Sequence, residues 1–546
     1  METRAARLNE REERSQRELA STEVSPRLAR AMSLAFVALV TLVPLAQAAI
    51  ELRADRWVQA LDVFTRRPAR DALHAYEQAL ENRSAVKRAV QPRLQEALTA
   101  AAGVGNDRTV LGRGGWLFYQ PGLDYVAGPG FLDAGLLRVR TTRMLDRDRI
   151  ADPQPDPRPA LHALREDLAR AGIRLLLVAV PDKAAVEGQR LARGAGGAGA
   201  GPDNPDWTRF ASEMRAAGLE LFDVPAPAVG APAYLEQDTH WTPQYMQQVA
   251  QALAGAIAPT LPGDVRRGGS LDPPARAPLD PPLRTETATV SRVGDLVDML
   301  RLPPAQRLFP AQSVEIVRVV SAAGARWTPR ADADVLLVGD SFTNIYSDPA
   351  MGWGESAGFA EHLSLALGRP LDVLAENGGA AAAVRLSLAR ADNRARLAGK
   401  RLVVYQFAMR DLMGQHWPVV RLPLMAAPPA APADSNNEIE IEGTIVQLSR
   451  VPDPATAPYA SSIGMTRVQV DRVLRGAFEG RELVAGLMVM RDRTLLPAAR
   501  YARGERVRLR LVPFSRAGRA VRSLQRSDDL EAFDLPAFWT IEDARP

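Results

Sequence analysis

Five short apolar runs that alternate with helical stretches constrain the fold of this chain more than any other feature. The runs are typical of strands buried on both faces of a sheet, and they cover Ile173–Val180, Leu219–Val224, Val335–Val338, Leu371–Leu374 and Leu402–Phe407. The helical stretches among them include His162–Ala171, Gln244–Ile257 and Ala357–Leu367. Because strands that alternate with helices form parallel sheets covered by helices, we predict a doubly wound α/β domain over residues 105–423.

The N-terminal region contains an uncharged segment at residues 31–50. Twenty helical residues span about 30 Å, the hydrocarbon thickness of a bilayer. Arg27 and Arg30 precede the segment and favour a cytoplasmic location for residues 1–30. We therefore predict a transmembrane signal anchor, with the remainder of the chain outside the cytoplasm. A signal peptide cleaved after Ala48 and a buried helix of a soluble domain are the alternatives.

The remaining chain divides into three further regions. Residues 51–104 show helical spacing of apolar residues and predict a helical stalk. Residues 424–436 are rich in proline and alanine and predict a linker. Residues 437–546 predict a small β domain, a barrel or a sandwich, with strands at Ile439–Leu448, Met465–Val473, Leu483–Met490 and Val507–Val512. Loops are predicted at 194–202, which is glycine-rich, and at 262–283, which is proline-rich.

Composition excludes several functions. The chain has no cysteine, so it has no thiolate nucleophile, disulfide or cysteine-ligated metal. Its net charge is +4 without a dense lysine or arginine block, which gives no support for nucleic-acid binding. No phosphate-binding glycine loop follows a strand, and no second histidine lies near Asp238 and His240 to complete a metal site. We predict no cofactor and no metal.

One candidate nucleophile follows a predicted buried strand. Gly339-Asp340-Ser341-Phe342 comes directly after Val335–Val338. Ligands of open α/β sheets bind outside the carboxyl ends of the strands, so Ser341 lies where a nucleophile is expected. Its backbone amide is also a candidate donor to an oxyanion. A structural helix cap is the alternative interpretation of the same residues.

A candidate base lies about a hundred residues upstream, in Asp238-Thr239-His240. Serine requires a base at neutral pH, and imidazole titrates in that range. A carboxylate two residues away can reach Nδ1 and fix the tautomer. The motif therefore predicts His240 as the base and Asp238 as its partner, although an ordinary loop would show the same sequence.

Together these motifs resemble the alginate O-acetyltransferase family, which comprises exported proteins with SGNH-hydrolase-like domains. The resemblance spans roughly residues 105–420. It is carried by the Gly-Asp-Ser-Phe and Asp-Thr-His-Trp-Thr-Pro motifs, with further matching segments at 112–118, 180–183, 294–296 and 410–412. Ordinary SGNH esterases place the serine motif first, whereas here it follows the Asp-x-His motif.

The resemblance implies an SGNH-like sheet and a catalytic triad of Ser341, His240 and Asp238. It further implies an acetyl-serine intermediate that transfers acetyl groups to hydroxyls of an exported polysaccharide. The acetyl donor would arrive through a multi-pass membrane acyltransferase partner. The protein would then be held by residues 31–50 in the bacterial inner membrane, with the catalytic domain in the periplasm. An acetyl esterase and a non-catalytic scaffold of an export or acetylation complex are the alternatives.

Three further residues are candidates for substrate or oxyanion binding. Asn377 and Gly378 follow the strand Leu371–Leu374 and could supply oxyanion donors, or simply form a glycine turn. Arg410 resembles an arginine of the family and could bind an acidic sugar or stabilise the site. A surface salt bridge is the alternative for Arg410.

The last candidates have stronger structural alternatives. Lys183 could meet a substrate carboxylate, but a structural role is preferred. Tyr405, with Trp353 and Trp417, could form a sugar platform, although core packing is commoner for such residues. The C-terminal region shows no feature that matches the carbohydrate-binding module of some relatives.

Overall fold

The fold is taken from a computed structural model. It describes residues 25–53, 58–61, 76–77, 80–81, 84–146, 150, 152–191, 203–261, 282–378, 380–422, 438–452, 454, 457, 459–518, 521, 524–530 and 532–542. Several predictions lie wholly or largely outside these residues: the tail at 1–30, the loops at 194–202 and 262–283, and the linker at 424–436.

The chain forms two compact units, residues 1–94 and residues 95–546. The first contains helix α1 (Pro26–Arg53), with a mean hydropathy of 2.1 over its most apolar window. Among the described residues, this is the one helix that is long and apolar enough to cross a membrane. Of the predicted stalk, the structure describes a short turn at Gln59–Leu61 and helix α2 (Ala85–Ala102).

The second unit combines helices with four sheets. After α2, the helices are α3 (Gln120–Ala127), α4 (Ala134–Asp146), α5 (Pro157–Arg170), α6 (Lys183–Val186), α7 (Gly188–Leu191), α8 (Trp207–Ala216), α9 (Pro243–Ile257), α10 (Asp295–Leu300), α11 (Ser341–Asn344), α12 (Phe359–Leu367), α13 (Ala380–Ala389), α14 (Ala391–Arg394) and α15 (Asp411–Gly414). The strands are β1 (Thr109–Leu111), β2 (Leu117–Tyr119), β3 (Arg174–Val180), β4 (Glu220–Leu221), β5 (Leu283–Arg292), β6 (Gln312–Ser321), β7 (Val335–Gly339), β8 (Asp372–Ala375), β9 (Leu402–Ala408), β10 (Ile439–Leu448), β11 (Ser462–Arg475), β12 (Glu482–Arg491), β13 (Thr494–Leu495), β14 (Arg506–Pro513), β15 (Gln525–Ser527) and β16 (Ala537–Glu542).

The five apolar runs of the sequence form one sheet in the order β4-β3-β9-β7-β8. Each neighbouring pair is parallel, and β3 pairs with β9 along its full length. The edge strand β4 is shorter than predicted, with two paired residues. Pro225 and Pro227 follow it closely, and proline cannot donate to a strand ladder.

Helices cover both faces of this sheet. Leu176 and Val178 of β3 belong to one core with α9 and α12, whereas Leu175 and Leu177 belong to a second core with α5, α8 and α13. Because successive side chains of a strand point to opposite faces, one strand contributes to both cores. The α/β prediction is confirmed, and the sheet presents the carboxyl ends of its strands at one edge.

Two antiparallel pairs lie outside the main sheet. Strands β1 and β2 form a short pair, and β5 and β6 form a hairpin with ten paired residues on each strand. The apolar patterns of the sequence predict no strand for either pair. Helix α10 lies between the two hairpin strands in the sequence.

The C-terminal region is a β barrel, one of the two architectures, barrel or sandwich, that its strand pattern predicted. Strands β12, β16, β14, β10 and β11 pair in that order, and β11 also pairs with β12, which closes the ring. The four predicted strands correspond to β10, β11, β12 and β14. An apolar core that includes Ile441, Val468 and Leu509 fills the interior.

The barrel region contacts the loop that follows β8. Arg526 donates to Glu376 at 2.5 Å. Gly378 adopts a φ of +70°, and a Cβ there would lie 2.7 Å from both the Tyr459 ring and Gln525 Oε1. A second contact is buried, since Arg390 forms a bidentate ion pair with Asp528 and donates to the Ala532 carbonyl at 3.0 Å.

Candidate active site

The turn that follows β7 positions Ser341. Asp340 Oδ1 accepts a hydrogen bond from the Phe342 amide at 2.8 Å and caps the short helix α11. Gly339 is required for close packing, because a Cβ there would lie 2.2 Å from Thr343 Oγ1. Ser341 is therefore the first residue of α11, at the carboxyl edge of the sheet and half-buried.

The Asp-x-His motif lies on a tight loop before α9. Tyr234 and Trp241 pair as an isolated bridge at the base of the loop, and Leu235 donates to the His240 carbonyl at 3.1 Å. Thr242 then caps α9 by accepting from the Tyr245 amide. The loop is thus closed on itself, which fixes where its side chains project.

Three side chains form one chain of hydrogen bonds across these two loops. His240 Nε2 lies 2.9 Å from Ser341 Oγ, and His240 Nδ1 lies 2.6 Å from Asp238 Oδ1. The other carboxylate oxygen, Oδ2, accepts from Trp353 Nε1 at 2.9 Å and from the Asp295 amide at 3.0 Å. Both oxygens of Asp238 are therefore held in a fixed orientation.

Electrostatics favour an ionised Asp238 beside a basic imidazole. Burial alone would raise the pKa of Asp238, but His240 and the hydrogen bonds lower it well below its usual range. Burial lowers the pKa of His240, yet the Asp238 carboxylate outweighs burial and raises it. With Nδ1–H donated to Asp238, Nε2 is free to accept the Ser341 proton.

Asp295 is a part of the site that the sequence analysis did not single out. Its carboxylate accepts from the Thr239 amide at 2.8 Å and from Thr239 Oγ1 at 2.6 Å. Asp295 Oδ2 also lies 3.9 Å from His240 Nδ1. The one available signal was the Gly294-Asp295-Leu296 match to the family, which did not link Asp295 to the histidine loop.

Asp238, His240 and Asp295 are the described residues whose ligand atoms come close enough together to hold a metal ion, all within 4.8 Å. However, Asp238 Oδ1 and His240 Nδ1 are joined by a direct hydrogen bond of 2.6 Å. An ion could bind both atoms only if that bond were broken. The arrangement fits proton transfer better than metal binding.

Arg410 is a buried cation beside the serine turn and not part of a surface salt bridge. Its guanidinium lies 5.3 Å from the Phe342 ring centroid and 5.4 Å from that of Tyr119. Nη1 lies 3.6 Å from Asp182 Oδ2, and the side chain is 13% exposed. Burial lowers the pKa of Arg410, but Asp182 and Asp411 outweigh burial and raise it. The residue therefore stays charged.

Asn377 and Gly378 lie on the loop after β8. Asn377 Oδ1 accepts from Asn344 Nδ2 at 2.9 Å, and Asn377 Nδ2 donates to Asp348 at 3.1 Å. Asn344 is the last residue of the helix that begins at Ser341, so Asn377 is tied to that helix. Its role as an oxyanion donor stays a prediction.

Two predicted substrate contacts are corrected by their surroundings. Lys183 is 3% exposed, and its Nζ donates to the carbonyls of Leu235, Glu236 and Asp238 at 2.6, 2.9 and 3.0 Å. It has no proton left for a substrate carboxylate, and instead supports the histidine loop. Tyr405 is 1% exposed and donates to the Ala381 carbonyl, so its ring packs in the core.

The tryptophans of the predicted sugar platform are also fully buried. Trp417 donates to the Asp411 carbonyl at 3.1 Å, and Trp353 donates to Asp238. Neither ring offers a face to a sugar. Trp353 nevertheless belongs to the site, because its indole N–H helps to orient the carboxylate.

The fold and the site define an α/β protein with a serine, a histidine and an aspartate hydrogen-bonded at the carboxyl edge of a parallel sheet. The family described as the SGNH hydrolase-like domain of the acetyltransferase AlgX matches residues 109–409. The chain belongs to this family. A search of curated proteins gives no match.

Solved structures include several similar proteins. The O-acetyltransferase domain of Pseudomonas putida AlgJ is 23% identical, with a TM-score of 0.40, and the match covers 57% of this chain and 93% of AlgJ. Pseudomonas aeruginosa AlgX is 16% identical, with a TM-score of 0.39 and coverage of 71% and 83%. Bacillus cereus PatB1 is 10% identical, with a TM-score of 0.31 and coverage of 58% and 100%.

Proposed function

We propose that this protein is an O-acetyltransferase that uses Ser341 as nucleophile, His240 as general base and acid, and Asp238 as the partner of His240. The observation that carries the proposal is the continuous hydrogen-bonded chain from Ser341 Oγ through the imidazole to Asp238. Membership of an acetyltransferase family supports the choice of an acetyl group.

In the first half-reaction, Ser341 Oγ attacks the carbonyl carbon of an acetyl donor while its proton passes to His240 Nε2. The imidazolium is stabilised by Asp238 at 2.6 Å. When the carbonyl re-forms, the bond to the leaving group breaks and the leaving group takes the proton from Nε2. Ser341 is left as an acetyl ester and His240 is neutral again.

In the second half-reaction, a hydroxyl of the acceptor replaces the leaving group. His240 removes the hydroxyl proton as its oxygen attacks the acetyl-serine, and returns that proton to Ser341 Oγ as the ester breaks. We propose a sugar hydroxyl of an exported polysaccharide as the acceptor. If water takes its place, the same steps release acetate, and the protein is an acetyl esterase.

Backbone and side-chain amides near Ser341 are proposed to bind the oxyanion. The Ser341 amide lies at the start of α11, and Asn377 is fixed to the other end of the same helix. Preorganised donors of this kind stabilise the negative charge that develops on the carbonyl oxygen. Arg410 is proposed to stabilise the serine turn by its contact with Phe342.

Helix α1 supports the proposed location. Arg27 and Arg30 at its start favour a cytoplasmic N-terminus, so residues after Arg53 would lie in the periplasm, anchored to the inner membrane. The proposed acetyl donor then comes across the membrane through a multi-pass acyltransferase partner. The acceptor polysaccharide is met on the periplasmic side.

The test uses the full chain in detergent, a chromogenic acetyl ester as donor, and an uncharged or a uronic-acid oligosaccharide as acceptor. Transfer predicts an acetylated oligosaccharide and an acetyl group on the peptide that contains Ser341. Ser341→Ala should lower turnover by about 10⁶-fold, whereas Ser313→Ala, at an exposed position on β6, should not change it.

Two results would contradict the proposal. Release of free acetate with no acetylated sugar would identify an esterase. Polymer acetylation that persists in cells carrying Ser341→Ala would identify a non-catalytic scaffold.

A further inference from the structure

A second carboxylate, that of Asp295, lies near the imidazole. Asp295 begins α10 and meets the histidine loop at several points. Its backbone amide donates to Asp238 Oδ2 at 3.0 Å, and the next amide, that of Leu296, donates to the Gln237 carbonyl at 3.1 Å. The start of α10 is thus fixed to the loop that carries Asp238.

The approach of these two segments is close enough to require glycine. A Cβ on Gly294 would lie 2.1 Å from the Gln237 carbonyl oxygen and 2.8 Å from the Asp238 nitrogen. Both are backbone atoms, which cannot move aside as a flexible side chain would. The close contact between α10 and the loop therefore requires glycine at position 294.

The carboxylate of Asp295 then reaches towards the imidazole through Thr239. It accepts from both the amide and the hydroxyl of Thr239, and Thr239 Oγ1 lies 3.2 Å from His240 Nδ1. The Asp295 oxygen itself is 3.9 Å from Nδ1. Because Thr239 gives its one hydroxyl proton to Asp295, its oxygen can meet Nδ1 only as an acceptor, beside the shorter bond from Nδ1–H to Asp238.

We propose that Asp295 is a second positioning residue, which holds Thr239 against the imidazole and adds a negative charge beside it when His240 takes the serine proton. The inference rests on the proposed function, since it assigns a role within the same proton transfer. It makes the site a histidine between two carboxylates, one in direct contact and one acting through a hydroxyl.

The charged groups that face His240 and Asp295 lie on several elements. They are Asp238 on the same loop, Arg410 after β9, Asp340 after β7 and Lys183 at the start of α6. Burial, and next the charge of Asp238, raise the pKa of Asp295 to about 7. Asp295 and Asp238 both raise the pKa of His240, whereas Arg410 lowers it.

The first test is Asp295→Asn, which keeps the shape of the side chain and removes its charge. The charge of protonated His240 lowers the pKa of Asp295 and so favours its ionised form. Loss of this negative neighbour lowers the pKa of His240, so the acid limb of the kcat/KM profile should move to lower pH by about one unit. The turnover number should fall about tenfold because the imidazolium is less stabilised, with KM within about twofold of the wild type.

Two variants separate this role from a structural one. Asp298→Asn changes a carboxylate of the same helix that is about half exposed and pairs with Arg292 at 3.6 Å, and it should leave the profile unchanged. Thr239→Val removes the bridging hydroxyl but keeps the charge of Asp295. Its turnover should fall without a shift of the acid limb to lower pH.

The deciding measurement does not depend on activity. The chain has five histidines, so the titration of His240 can be followed by NMR of the ¹³C-histidine-labelled full chain, with its signal assigned by His240→Gln. A lower pKa of His240 in Asp295→Asn supports the inference. An unchanged pKa overturns it, even when Ser341→Ala is inactive and the proposed function stands. If the wild-type protein transfers no acetyl group but Asp295→Asn still lowers the pKa of His240, the proposed function is overturned and the inference stands.

Discussion

The parallel sheet and the C-terminal barrel belong to one compact unit, yet they place their charged residues differently. At the carboxyl edge of the sheet, Lys183 and Asp238 are 3% and 2% exposed, and each meets a specific partner. On the barrel, Arg508 pairs with Glu440 at 2.7 Å while remaining 47% exposed, and Arg467 pairs with Glu482 at 2.6 Å while 35% exposed.

The sheet edge therefore carries the free-energy cost of burying charged side chains, whereas the exposed barrel pairs do not. A buried charge is costly unless it is paired and hydrogen-bonded, so such residues persist where they fix a geometry that a neutral side chain would not fix. Surface pairs such as Arg508 and Glu440 gain about 0–1 kcal/mol. We conclude that the buried charges of the sheet edge fix the geometry of their partners, whereas the exposed ion pairs of the barrel contribute little to stability.

Among the substitutions that contrast these two regions, the largest effect is expected in the buried pair of His240 and Asp238. Asp238→Asn removes the charge that orients His240 and stabilises its protonated form. By analogy with other serine triads, turnover should fall about 10⁴-fold while the structure is retained. Steady-state kinetics with an acetyl ester, together with circular dichroism, measure both. A loss below about tenfold would break the contrast between the two regions.

The buried contact between the barrel region and the end of helix α13 comes next. Arg390 is 3% exposed on its side chain, and Asp528 is 11% exposed. Arg390→Ala leaves the buried carboxylate without its partner, so the free energy of unfolding should fall by about 3–5 kcal/mol. Urea unfolding of the full chain gives the value. A change below about 1 kcal/mol would mean that this charge, despite its burial, behaves like those of the barrel surface.

Lys183 tests whether a buried cation can serve structure alone. Lys183→Met removes three hydrogen bonds to the histidine loop and should cost about 3 kcal/mol. Burial lowers the pKa of Lys183 to about 7, below the usual value near 10.4. Between these values the unfolded chain binds more protons, so the stability that Lys183 contributes should rise with pH.

Denaturant unfolding of the wild type and of Lys183→Met at pH 7, 8 and 9 checks the sign. The difference between them should widen as pH rises. A difference that stays constant would show that Lys183 remains protonated in the folded protein throughout this range.

The smallest effect is expected on the barrel surface. Arg508→Ala breaks an exposed ion pair with Glu440, and it should change the free energy of unfolding by less than about 1 kcal/mol. The same urea titration serves as the matched control for Arg390→Ala. A loss as large as that of Arg390→Ala would remove the distinction between the two regions.

Much of the architecture could be predicted because it follows from local patterns. Continuous apolar runs marked the strands of the parallel sheet, and alternation marked the barrel. Helix starts were less accurate. Helix α5 begins at Pro157, five residues before the predicted start, because Asp156 caps it by accepting from the Arg158 amide and proline is favoured at the first helical position.

The parts of the site that could not be predicted depend on contacts between segments that are distant in the sequence. The motifs predicted Ser341, His240 and Asp238 as site residues, and in the structure their side chains lie within hydrogen-bonding distance. Nothing local indicated that Trp353 and Asp295 would meet Asp238, since both come from segments far along the chain. Lys183 and Tyr405 follow the structural interpretations that were weighed against substrate contact, because each side chain is almost fully enclosed, and sequence does not reveal how completely a side chain is enclosed.

The positive φ of Gly378 has a consequence for engineering. That residue leaves room for the Tyr459 ring, so the loop beside the serine helix and the barrel are shaped to each other. Exchanging the barrel for one from a relative would join two surfaces that never adapted together. A chimera that folds well would have to take residues 376–378 from the same relative as its new barrel.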